Sequence, residues 1–239
     1  CASHDTASAV MAMPLAKGEG LYISSGTWSL MGVEAKQADC GVQSRKGNFT
    51  NEGGYDYRFR YLKNIMGLWM IQSVRHEQKD AYSFAQLCQM AAECRKFPSR
   101  VDVNDDVFLS PDSMTEAIQD YCRRTGQAIP VTVGEISAVI YQSLADCYGK
   151  TAVLLQENTG RTYDGIFVIG GGSNAAYLNQ LTADAAGMDV YAGPGEATAV
   201  GNIMAQMIRA GELKDLANAR KCVADSFRIS HYQPKPYRE

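Results

Sequence analysis

What the 239-residue chain lacks narrows it first. No CxxC pair occurs, and the seven cysteines (1, 40, 88, 94, 122, 147 and 222) are odd in number and irregularly spaced. That pattern suggests neither a disulfide framework nor a zinc site. The cysteines read mostly as small core residues of a reducing, cytoplasmic compartment. The longest apolar runs, Ile166 to Ile169 and Thr151 to Leu155, are far too short to span a bilayer. No basic segment followed by an apolar core opens the chain, so no secretory leader is expected. A basic excess is missing too: 23 Lys and Arg against 26 Asp and Glu give a net charge of −3, which argues against nucleic acid or an anionic membrane as partner. Among the three histidines, His76 and His231 have no ligand-like neighbours in useful spacing and read as structural. There is no internal repeat and no low-complexity linker. The opening Cys1-Ala2-Ser3-His4-Asp5 carries no methionine and runs straight into patterned sequence rather than a lipid tether. It reads as a cut edge.

What is present fits one large α/β domain: 46% hydrophobic and 21% charged residues, enough to bury a sizeable core. Asp5 to Leu15 has helical spacing, ending near Pro14 and Lys17-Gly18. Leu21 to Ser25 and Trp28 to Val33 read as strands of a hairpin turning at Gly26-Thr27. Ala35 to Tyr57 is polar and glycine-rich, a loop with short strands. Leu62, Ile65, Met66, Trp69, Met70 and Val74 form a stripe that predicts a helix from about Lys63 to Glu77. Further helices are expected at 83–94, 113–124 and 133–157, the second with Pro111-Asp112-Ser113 as its cap. A strand at 165–169 then runs into Gly170-Gly171-Gly172-Ser173-Asn174, followed by a helix, a strand at 189–191, and a last helix from Pro194-Gly195-Glu196 to Ala210-Gly211.

Three segments could carry chemistry. Glycines closing a buried strand before a helix leave backbone N–H groups open to a phosphate or nucleoside. Gly170, Gly172 and Ala175 match G-x-G-x-x-A, but the second strand ends Tyr191-Ala192-Gly193 without the acid that a dinucleotide ribose needs. A ligand-free glycine corner remains an alternative. Ser24-Ser25-Gly26-Thr27 at the hairpin tip suits a phosphate clamp, although such a tip can equally be only a turn. Two separated loops of this character suggest one nucleotide held between them. In His4-Asp5-Thr6, the aspartate is either a helix cap or a general base for a substrate hydroxyl, with His4 and Thr6 orienting that substrate. Asn64 and Gln72 lie near the apolar stripe without being apolar, so a ligand is one candidate partner for their amides. Asp105-Asp106 reads as a pair of solvated loop carboxylates.

In order along the chain, Ala2-Ser3-His4-Asp5-Thr6-Ala7-Ser8-Ala9-Val10, Ser24-Ser25-Gly26-Thr27-Trp28-Ser29-Leu30-Met31-Gly32, Thr50-Asn51-Glu52-Gly53-Gly54, Leu62 to Trp69 and Gly170 through Pro194 together resemble the C-terminal domain of carbohydrate kinases of the FGGY family. These belong to the actin-like ATPase superfamily, and the resemblance is strongest to the members that phosphorylate L-rhamnulose. It implies an actin-like (ribonuclease H-like) α/β fold over residues 1–239, the C-terminal half of a two-domain sugar kinase whose N-terminal sugar-binding domain lies outside this chain. It implies ATP with Mg²⁺ in the interdomain cleft and transfer to L-rhamnulose, giving the 1-phosphate. By position, Asp5 would be the catalytic base, with His4, Thr6 and Asn64 contacting substrate. Thr27, Gln72 and Gly171 would contact ATP, with Gly26, Gly170 and Asn174 shaping the same corner. Other family members acting on xylulose, fuculose or glycerol, and a non-catalytic actin-like nucleotide-binding module, are the competing readings. The chain alone is expected to be inactive. Some relatives carry a cysteine pair near Cys122; here the partner position holds Val139.

Overall fold

The computed structural model describes residues 4–15 and 19–235; Cys1, Ala2, Ser3 and the Lys17-Gly18 helix stop lie outside the described residues. Leu21–Ser25 (β1), Trp28–Ala35 (β2), Thr50–Gly53 (β3), Phe59–Met66 (β4), Ile166–Ile169 (β5), Val190–Ala192 (β6) and Ser230–Tyr232 (β7) form one sheet of order β3-β4-β2-β1-β5-β6-β7. The β1–β2, β2–β4, β3–β4 and β6–β7 pairs are antiparallel; β1–β5 and β5–β6 are parallel. The central strands read as short hydrophobic runs because helices cover both faces.

Alternation along the strands sends side chains into two layers. Leu21, Ile23, Met31, Val33, Tyr61, Ile65, Ile166 and Val168 face the larger core. That core is built on α6 (Val133–Thr159), with α3 (Trp69–Glu77), α4 (Phe84–Glu93), α5 (Met114–Arg124) and α7 (Ala176–Ala186) around it. Tyr22, Leu62, Phe167 and Ile169 face the other way, onto α1 (Asp5–Met11), α8 (Ala197–Ala210) and α9 (Leu216–Ser226).

Local chemistry sets the long helix. Thr132 and Glu135 form a capping box at its start, and Gly160 ends it at φ 64°, a left-handed conformation that a residue with Cβ adopts at a cost. Ser83 and Gln86 make a second capping box on α4, and Ser113 caps α5. Cys122 and Val139 are both buried in the larger core, where the thiol acts as a small apolar group.

Three expectations need correction. The apolar stripe from Leu62 to Val74 is not one helix: residues 59–66 form β4, and α3 begins at Trp69. Positions 62, 65, 66, 69 and 70 fit a helical period, but a strand turning at Gly67-Leu68 into a helix yields the same spacing. Gly67 marks the break, because a Cβ there would lie 2.5 Å from the carbonyl carbon of Trp28. The helix ending at Ala210 is not the last element, since α9 and β7 follow. Finally, α1 stops at Met11 rather than near Leu15, and its cap is His4: Nδ1 accepts the Thr6 N–H at 3.2 Å, leaving Asp5 in the first turn. Beyond Ala35, where β2 ends, residues 36–57 hold only β3, a short helix (α2, Val42–Lys46) and a single helical turn, as their polar composition suggested.

Candidate functional site

The carboxyl ends of the central parallel strands β1 and β5 lie side by side along the edge that the strand ends form, and the hairpin tip and the glycine corner both sit there. The corner approaches β1 very closely. Gly170 has φ 84°, and a Cβ on Gly172 would fall 2.0 Å from Ser25 Oγ, so glycine is required at both positions. Residues 171–174 form a single turn of 3₁₀ helix and α7 begins only at Ala176, so the corner is not the strand-to-helix entry of a dinucleotide fold. Asn179 Nδ2 donates to the carbonyls of Gly172 and Ser173 at 3.4 and 3.0 Å, fixing the turn from below.

Backbone bonds hold the hairpin tip. The Leu68 and Trp69 amides at the start of α3 donate to the carbonyls of Gly26 and Thr27 at 3.1 and 2.9 Å. Docking the tip on a helix N-terminus satisfies amides that have no intrahelical partner. It also brings Thr27 Oγ1 within 3.5 Å of Gln72 Oε1, one turn into α3. Beneath the tip, Ser29 Oγ and the Tyr148 hydroxyl lie 2.6 Å apart in the core, and burial pushes the phenol well above its usual range.

Between tip, corner and α4 lies a cavity of about 510 Å³. Gly26, Gln72, Gly171 and Asn174, four of the residues expected at a nucleotide, line it. Its remaining walls are mostly apolar, with Ile71, Phe84, Ala85, Cys88 and Tyr141 among them. An apolar slot with a few convergent amides is the usual form of a small-molecule site. Burial raises the Cys88 thiol pKa, which keeps it neutral. The apolar walls could not be found in the sequence, because they come from α3, α4, α6 and the start of α7, and nothing local distinguishes them from core.

Asp5, His4, Thr6 and Asn64 do not line that cavity; they belong to the opposite face of the same edge. Asp5 and His4 are exposed and Thr6 is half-buried. The helix that carries them is clamped at both ends. Thr198 Oγ1 on α8 donates to the Asp5 carbonyl at 3.4 Å, and Ser8 Oγ donates to Asn202 Oδ1 at 3.3 Å. At the far end, Arg220 of α9 donates to the carbonyls of Val10 and Met11 (2.9 and 3.2 Å) and pairs with Glu34 of β2 at 2.6 Å. Glu34 lies six residues along β2 from Trp28, so α1 points its Asp5 end toward the hairpin edge. These supports were missed in the sequence, although Ala197, Gly201 and Ala205 form a spacing-of-four stripe of small residues that signals close helix packing. Asn64, exposed on β4, pairs in register with Leu30 and lies on this same face. The Asp105-Asp106 pair serves as expected: Asp105 caps a short turn and meets Arg124 at 3.5 Å. His231 bonds Asp189 at 2.8 Å and stacks on Tyr191, while His76 lies 3.1 Å from Asp80.

Residues 21–210 match the model of the FGGY family of carbohydrate kinases, C-terminal domain. Among curated proteins, the chain is 47% identical over 234 residues to the rhamnulokinase of Ligilactobacillus salivarius, covering 98% of this chain and 48% of that protein. It is 46% identical to the rhamnulokinase of Bacillus subtilis, with the same two coverages. The chain thus spans about half the length of the curated relatives it matches. Among solved structures, the xylulose kinase of Rhodospirillum rubrum aligns with a TM-score of 0.66 at 17% identity, over 97% of this chain and 46% of that one. The glycerol kinase of Plasmodium falciparum, solved with ADP, gives a TM-score of 0.66 at 11% identity, over 97% and 46%. At those identities they show the fold alone, the expected actin-like ATPase α/β fold. The match over residues 21–210 decides the rest: the chain belongs to the FGGY family of carbohydrate kinases.

Proposed function

We propose that this chain is the nucleotide-binding, C-terminal domain of an ATP-dependent sugar kinase that converts L-rhamnulose to L-rhamnulose 1-phosphate. The observation that carries the reading is the arrangement of the sheet edge. A cavity lined by Gly26, Gln72, Gly171 and Asn174 opens on one face, and Asp5 and Asn64 belong to the other. The hairpin tip and glycine corner lie at the edge between them. Identity of 46–47% to rhamnulokinases over 98% of the chain favours L-rhamnulose over xylulose or glycerol.

Phosphoryl transfer needs alignment and charge neutralisation more than covalent help. In this proposal the adenosine end of ATP occupies the apolar slot, Gln72 and Asn174 offer amides to it, and Gly171 leaves backbone open to it. Thr27 and Gly26 at the tip, with Gly170 opposite, face the phosphates. The residues fit such a ligand: Gly26 and Gly171 line the cavity, and a Cβ on Gly171 would meet no protein atom within 4 Å, so its backbone faces open space. Mg²⁺ accompanying the phosphates would supply charge neutralisation. Among the described residues no group of three or more His, Cys, Asp or Glu could hold an ion, so phosphate oxygens and water would be its main ligands. Asp5 accepts the proton of the C1 hydroxyl as that oxygen attacks the γ-phosphorus and ADP leaves. His4, Thr6 and Asn64 orient the sugar. A second domain of the complete protein closes the cleft, and the enzyme acts in the cytoplasm.

The test is Asp5→Asn in the complete protein, assayed with ATP and a panel of ketoses. Loss of a general base predicts a fall in kcat of about 10²–10⁴-fold, with ATP binding retained. Near-normal turnover with ATP bound removes Asp5 as the base, and a wild-type protein that ignores L-rhamnulose while phosphorylating xylulose or glycerol overturns the substrate.

A further inference from the structure

Trp28 is one of two tryptophans in the chain and the one its core does not use: it is 43% exposed. Single exposed apolar residues are ordinary, but this one is held rigidly in a particular place. Its carbonyl accepts the Gly26 N–H at 2.9 Å, and Gly67 packs so closely on its backbone that a Cβ there would lie 2.5 Å from its carbonyl carbon. Residues of even number on β2 turn toward α1: Leu30 packs in the smaller core and Glu34 reaches Arg220. By that alternation along β2 Trp28 lies on that face, diagonal to Asn64 on β4; its register partner Met66, at the end of β4, reaches the larger core instead. Cross-strand diagonals on one face lie about 7–8 Å apart, within reach of an aromatic ring. One row inward, Asn64, Leu30 and Ser24 stand in register across three strands. Asp5 begins α1, the helix packed over this same face.

The patch thus joins an exposed indole and a leucine to an amide, a hydroxyl and a carboxylate. That mixture suits a small polyol with one apolar end. We propose that Trp28 is a specificity-determining residue, an aromatic platform that receives the apolar methyl end of a 6-deoxyketose while Asp5 meets its opposite, C1 end. This rests on the kinase reading above and adds to it the means by which a deoxy sugar is told from its hydroxylated analogue. The indole face buries the methyl and adjacent C–H groups favourably. A C6 hydroxyl against the same surface would lose hydration without gaining a partner.

The experiment compares wild type, Trp28→Phe and Trp28→Ala in the complete protein, with L-rhamnulose and with L-fructose, which differs by a hydroxyl at C6. Steady-state kinetics are joined to calorimetric titration of each sugar without ATP. A methyl-sized contact in an apolar pocket is worth roughly 10–200-fold in discrimination. Trp28→Ala is expected to weaken L-rhamnulose at least about 10-fold in both KM and Kd. It should leave L-fructose and the KM for ATP nearly unchanged, so that the preference between the two sugars collapses. Trp28→Phe, which keeps an aromatic face, should retain most of the preference. If Trp28→Ala alters both sugars equally, or raises only the KM for ATP, the platform is wrong. If Trp28→Ala does not fold, a Trp28→Phe enzyme that loses its preference with melting temperature unchanged overturns it as well. A wild-type enzyme that phosphorylates neither ketose would instead refute the kinase reading on which this rests.

Discussion

Replacing Gly201 by alanine adds one methyl group where α8 touches α1, and the consequence can be worked out. The new Cβ would lie 1.8 Å from the carbonyl oxygen of Ser8. Carbon and oxygen do not approach within about 3 Å, so the helices must separate by about 1 Å or tilt, since a packed interior has no slack. Overpacking of this kind costs roughly 1–3 kcal/mol, which for a domain of this size lowers Tm by roughly 2–4 °C per kcal/mol. The larger effect falls on activity, because α1 carries Asp5 and the Thr198–Asp5 and Ser8–Asn202 bonds set its position against α8. A displacement of about 1 Å in a reacting group can cost on the order of 10²-fold. The assay is coupled ADP release from the complete protein, with calorimetric melting alongside. We expect kcat to fall on the order of 10²-fold with the KM for ATP held, since the cavity proposed for the nucleotide is on the other face of the sheet. A Gly201→Ala enzyme with wild-type kcat would refute the idea that α8 sets the position of Asp5.

Two further predictions concern stability. Arg220→Met removes the clamp on the Val10 and Met11 carbonyls and strands Glu34, whose side chain is only 13% exposed. An uncompensated buried charge costs about 3–5 kcal/mol, so Tm should drop clearly and Glu34→Gln in the same chain should recover part of it; an unchanged melt would show that the pair contributes nothing. Glu135 is held below its ordinary pKa of 4.5, chiefly by the Thr132 and then the Val131 backbone amides. Its folded pKa is depressed, so its stabilisation is present above pH 4.5 and lost as pH falls through the folded value. Glu135→Gln keeps an acceptor but does not titrate, so the melting difference between wild type and variant should fade in acid; a difference independent of pH would contradict the assignment.

Much of this was legible along the chain. The Ser-Ser-Gly-Thr hairpin and the Gly170–Gly172 corner announce themselves because turns and positive φ demand particular residues at particular positions, and α6 was legible from its long apolar spacing. The strand β4 was not legible: five apolar positions between 62 and 70 fit a helical period, and only Gly67, forced by contact with Trp28, ends the strand. Nor did α9 and β7 stand out, short elements whose order comes from packing at the sheet edge and from Arg220.

The sequence alone singled out the candidates: local pattern marked Asp5, the hairpin tip, Gln72 and the glycine corner, and resemblance to the FGGY kinases gave Asp5, Thr27, Gln72 and Gly171 the roles proposed for them. It could not sort them into two faces. Gly26, Gln72 and the Gly171–Asn174 turn come from three parts of the chain and meet at one cavity, while Asp5, Asn64 and Trp28 share the other side of the sheet. That partition depends on strand register, in which a shift of one residue turns every side chain to the opposite face. Register is fixed by long-range pairing and by close contacts such as Gly172 on Ser25, and the seat of α1 on its face by the contact of Gly201 with Ser8. Only the tertiary structure contains those contacts.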